Sequence, residues 1–168
     1  GGAWHQRLHA ALMPDYNRAA TVYWWTATCG GGLLLLACLA QVARLPGLAL
    51  LQIAAGLAFA VGAGLFPVRI PGTRVSFGVG ELSIFLVLLL QGPAAAAVLA
   101  AAEAGIGSFR TSKRWTSRLG SPAMATLAMF SAGSLFRAGQ DTLASRGLTG
   151  APVMLALALA VGLVYFFF

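Results

Sequence analysis

The order of apolar and polar positions divides the chain into long hydrophobic blocks joined by short polar breaks. Six blocks are expected to form helices: 20–43, 48–66, 80–91, 94–107, 123–136 and 151–168. A bilayer-crossing helix needs about 20 residues. The third, fourth and fifth blocks are therefore short, and the third and fourth must draw in neighbours, tilt, or cross only in part. Breakers mark the joints: Pro46-Gly47 after the first block and Gln91-Gly92-Pro93 after the third. Residues 3–20 read as a polar, aromatic-tipped lead-in, an interfacial helix broken at Pro14.

The stretch 66–90, FPVRIPGTRVSFGVGELSIFLVLLL, stands apart from this pattern. Pro67, Pro71 and Gly72 forbid a continuous helix, and Gly78-Val79-Gly80 leads into a block that opens on Glu81. A broken polar segment inside so apolar a chain implies something to recognise or transmit.

Composition turns the pattern into a fold class. Hydrophobic residues make up 59% of the 168 and charged residues 9%, against roughly 25% charged in soluble domains. So few charges cannot cover a soluble surface, and the chain reads as an all-α, polytopic membrane protein of about six helices. Residues 1–19 form an arm and 20–168 the membrane domain. The formal charge is +7, from 11 Lys and Arg against 4 Asp and Glu. Basic excess often marks nucleic-acid binding, which is excluded here because the cations fall in short loops between apolar blocks.

Alternate connections divide these cations unevenly. The amino-terminal arm (Arg7, Arg18), the second connection (Arg69, Arg74) and the fourth (Arg110, Lys113, Arg114, Arg118) hold eight of the 11; the others hold Arg44, Arg137 and Arg146. The positive-inside rule then places both termini in the cytoplasm. The lead-in has no uninterrupted apolar core before a small-residue cleavage site, so it is not a signal peptide. Gly1 in place of an initiator Met suggests processing or a fragment. The last block stops without a polar flank, so more chain is expected after Phe168.

Few residues qualify for chemistry. Tyr23, Trp24 and Trp25 open the first block, as interface anchors at headgroup level do. Gly30-Gly31-Gly32 suits close helix approach. Glu81 reads either as a carboxylate at a helix amino terminus or as a pocket group paired with Arg69 or Arg74. Glu103 stands seven residues before Arg110, two turns along one helix face, and pairing between them is the plainer reading; a proton or cation site shared with Glu81 is the alternative. Arg110, Lys113, Arg114 and Arg118 surround Trp115 and suit anionic lipid, with coupling to a cytoplasmic domain as the second reading. His5 and His9 lack a third metal ligand nearby, and Cys29 and Cys38 lie on opposite helix faces. No P-loop, nucleophile elbow, metal cluster or HExxH occurs, so no cofactor is implied and the chain is not expected to be an enzyme.

FPVRIPGT (66–73), the following GEL-IFLVLLL with GP after it (80–93), and GSFRTSKRWTSRLGSPAMA (107–125) carry a resemblance over roughly residues 45–168. The chain resembles the multi-pass amino-terminal membrane domain of bacterial cyclic-di-GMP signalling proteins, which precedes GGDEF, EAL or HD-GYP modules. The resemblance implies a sensory or anchoring role in the bacterial inner membrane, with any cyclase or phosphodiesterase beyond residue 168. It carries over no binding residues. A weaker, architectural likeness links the chain to the substrate-binding subunits of energy-coupling-factor transporters. Three roles stay open: a sensor or anchor using a cavity near Arg69, Arg74 and Glu81; an uptake subunit using the same pocket; or an accessory subunit packing its Gly30–Gly32 and Ala94–Ala102 faces into a larger membrane complex. Lipids and either a protein partner or a fused cytoplasmic module are the expected partners.

Overall fold

The computed structural model describes residues 18–65, 68–69, 76–77, 80–148 and 150–167, giving only the backbone for 63–65, 68–69, 76–77, 164 and 166–167. Among them are six helices: α1 (Arg18–Val42), α2 (Gly47–Leu65), α3 (Gly80–Gln91), α4 (Pro93–Thr111), α5 (Trp115–Ser145) and α6 (Ala151–Phe167). Between α2 and α3, β1 (Val68–Arg69) and β2 (Ser76–Phe77) pair antiparallel, with Val68 opposite Phe77 and Arg69 opposite Ser76. The architecture is all-α, a helical bundle with this small ribbon at one connection.

α4 is the axis of the bundle and packs against α1, α2, α3 and α5. Ala94–Ala97, Leu99, Ala100 and Ala101 are all buried. Their methyl groups let four neighbours approach one helix from different sides, as small residues do where apolar helices pack. This corrects the expectation that Ala94–Ala102 forms an outward contact face: the alanines are the interior.

α1 closes on α5 by the same means. Gly31 lies on the backbone of Ala123, where a Cβ would overlap the Ala123 carbonyl. Trp24 lies over Gly120, where a Cβ would stand 2.9 Å from Nε1, and that nitrogen donates to the Thr116 carbonyl at 3.2 Å. Trp24 is thus buried, which corrects its assignment as an interface anchor; Tyr23 and Trp25 are exposed. The glycine four residues after Thr116 makes the space, and the indole N–H, costly to bury unpaired, finds a carbonyl there.

Two connections are shorter than the polar composition suggests. α4 continues to Thr111 and α5 begins at Trp115, so the connection expected over 108–122 shrinks to three residues. Pro122 lies inside α5. Its missing N–H removes one helical hydrogen bond, yet the helix continues, held against α1 on both sides of the proline through Gly120 and Ala123. Arg137 and Asp141, expected in a loop, are also helical. α5 ends where Gly147 takes φ +72, its N–H donating to the Ala144 carbonyl at 3.0 Å and that of Leu148 to the Leu143 carbonyl at 2.9 Å, the paired bonds of a Schellman end.

The outer surface is apolar, with Leu33, Leu36, Leu51, Phe59, Leu86 and Leu155 among its exposed side chains. α1 and α5 are long and apolar enough to cross a membrane, and α2, α3 and α6 contain shorter apolar helical stretches.

Candidate functional site

The two acidic residues singled out in the sequence come together at one end of the bundle. α3 starts at Gly80, and the Glu103 carboxylate of α4 lies directly on that glycine: a Cβ at position 80 would overlap Oε1 and stand 3.1 Å from the Ala60 carbonyl of α2. Only a residue without a side chain leaves the Glu103 head room there. The half-buried Glu103 therefore sits at the amino end of α3, where the helix dipole favours negative charge. Glu81, in the first turn of α3, is exposed. Tyr165 of α6 meets Phe85 of α3 edge-on, with ring centroids 6.4 Å apart. Buried Ser83 donates to the Gly80 carbonyl at 2.7 Å and fixes the first turn.

Beside Glu103 opens a cavity of about 140 Å³, lined by Ala60, Val61, Glu103, Ile106, Gly107 and Arg110. The spacing of seven along α4 thus brings Glu103 and Arg110 to the wall of one chamber. Arg69 lies in β1 with only its backbone described, and Arg74 lies outside the described residues, so the expected grouping of these two with Glu81 falls there as well.

At the opposite end of α3 lies a polar group that sequence reasoning missed. Gln91 Nε2 donates to Gln52 Oε1. The Arg137 guanidinium covers Gly92, whose φ is +93 and where a Cβ would stand 2.9 Å from Nη2. Gln41, Gln91 and Arg137 line a cavity of about 170 Å³ there. The available signal was the placement of Gln41 and Gln91 at block ends, with Gln52 four residues into the second block.

A third space, about 670 Å³, separates α3 from α6 over a floor that includes Phe136. Leu82, Phe85, Leu89, Leu155 and Leu159 form its walls. It is an apolar cleft, and the described side chains that line it include no group able to move a proton or bind an ion. The smaller chamber at Glu103 is the candidate site because the ionisable side chains converge on it.

The basic connection is divided in its roles. Arg118 Nε donates to the Ser112 carbonyl at 3.0 Å, and its guanidinium lies 5.0 Å from the Phe109 ring centroid and 5.4 Å from that of Trp115. Grouped by sequence with three other cations, Arg118 is turned back into the connection. Arg110, Lys113 and Arg114 are exposed. Among the described residues no three His, Cys, Asp or Glu side chains gather as a metal site. His5 and His9 lie outside those residues, and Cys29 and Cys38 are free thiols. Comparison with protein-family models, with curated proteins and with solved structures finds no match.

Proposed function

We propose that this chain is a six-span, non-catalytic membrane domain of the bacterial inner membrane that senses or anchors for a signalling protein, with the chamber at Glu103 as its responsive end. One observation carries the reading: a half-buried carboxylate seated on Gly80 shares a cavity with Arg110 inside an otherwise apolar bundle. A charge near mid-membrane costs roughly 2.5–3.5 kcal/mol on insertion scales, so ionisable groups held inside such bundles generally have a task. The six helices, their apolar outer surface and the bias of Lys and Arg to alternate connections support six crossings with both termini cytoplasmic. The resemblance of 66–93 and 107–125 to membrane domains of cyclic-di-GMP proteins supports the signalling role.

The test joins a diguanylate cyclase behind Phe168 and reads cyclic-di-GMP in cells. Glu103→Gln is expected to shift output about fivefold, the scale of ordinary coupling between sites, with unchanged membrane abundance. Reporter fusions at 113 should report cytoplasm, and those at 45, 92 and 148 the other side. Output identical to the parent, or residue 113 outside, overturns the reading.

One observation favours a second reading, an accessory subunit of a larger membrane complex. Gly30, Gly32 and Gly62 open onto empty space, as helix faces waiting for another helix do. Stoichiometric co-purification with a membrane assembly would distinguish it.

A further inference from the structure

We propose that the connection between α4 and α5 is an anionic-phospholipid headgroup site formed by Arg110, Lys113 and Arg114. The inference rests on the membrane location proposed above, and not on the sensing role.

Three observations carry it. First, the three cations fall within five residues at the junction of two helices, and all three are exposed. Second, the same junction exposes Phe109 (55%), Trp115 (58%) and Leu119 (50%). Cations among exposed aromatic and aliphatic side chains match a boundary where phosphate meets hydrocarbon, since amphipathic rings settle at headgroup depth. A surface meant for water or for a soluble anion needs no such apolar collar.

Third, the junction is held by its own bonds. The Ser112 N–H donates to the Ser108 carbonyl at 2.9 Å, and the Arg114 N–H to Ser112 Oγ at 3.1 Å. Arg118 ties the Ser112 carbonyl from the far side and stacks beneath Phe109 and Trp115. Lys113 and Arg114 therefore project from a fixed turn, which lowers the ordering cost of binding. Arg118, with its guanidinium committed inside the fold, does not belong to the headgroup site.

The experiment places the chain in lipid nanodiscs of mixed phosphatidylcholine and phosphatidylglycerol and measures, by native mass spectrometry after release, which lipid stays bound. The parent should retain phosphatidylglycerol preferentially, less so as salt rises. The triple variant Arg110→Gln, Lys113→Gln, Arg114→Gln should lose about fivefold in that preference per charge removed at low salt, with its melting temperature unchanged. Arg118→Gln should melt lower yet keep the preference within about twofold. A triple variant that retains the parental preference overturns the site. So does an Arg118→Gln variant that loses preference as fully as the triple, because total charge and not position would then govern it. A chain that stays outside the discs overturns both this site and the membrane reading, whereas a silent cyclase fusion with intact lipid preference would remove only the sensor.

Discussion

The contact of α1 with α5 is tight, whereas α3 and α6, which are the more apolar pair, leave a cleft between them. At the first, Gly31 touches the Ala123 backbone and Gly120 receives Trp24. At the second, Leu82 and Leu89 face Leu155 and Leu159 across about 670 Å³. Where nearly every position is hydrophobic, hydrophobicity no longer distinguishes inside from outside. Residue size does: small side chains mark the seams that close, as expected when packing and not water exclusion drives helices together. The contact of α6 with α5 obeys the same rule at Gly139, where a Cβ would stand 2.7 Å from Leu157.

The contrast can be broken at graded strengths. Leu99, fully buried in α4, should be the most sensitive: Leu99→Ala is expected to cost about 2–5 kcal/mol, lost contacts plus a cavity, in unfolding from mixed micelles. Gly31→Ala adds one methyl against a carbonyl that cannot rotate away, and overpacking of this kind costs about 1–3 kcal/mol. Leu159→Ala on the cleft wall should stay within about 0.5 kcal/mol, as exposed positions do. If Leu159→Ala cost as much as Gly31→Ala, the cleft would be a closed packing surface and the comparison would fail.

Much of the bundle was legible in the sequence. All six apolar blocks correspond to helices, because long hydrophobic runs bounded by Pro and Gly signal helices without reference to tertiary structure. The bounds of α5 were not legible: Ser, Thr, Arg and Pro between 108 and 122 imitate a loop, and only packing against α1 shows that the helix begins at Trp115. Trp24 misled for a related reason. Its neighbours Tyr23 and Trp25 face outward, and nothing local reveals that Gly120, far along the chain, opens a slot for the middle ring. At the candidate site, Glu81, Glu103 and Arg110 stood out by their charge alone. Their arrangement did not, since it depends on Gly80 and Ala60 meeting α4 from two other helices.

The alanine axis has a mechanical consequence. A methyl group has no rotamers to exchange, so α4 cannot absorb a push from a neighbour by rearranging its side chains, as a leucine-rich helix would. Between Ala94 and Ala101 it behaves as a stiff rod gripped on four sides. Glu103 and Arg110 lie on the continuation of that rod, and Arg137 and Gln91 stand around its other end. A displacement of the carboxylate on Gly80 would therefore reach the glutamine end as translation of one body, with little lost to friction on the way.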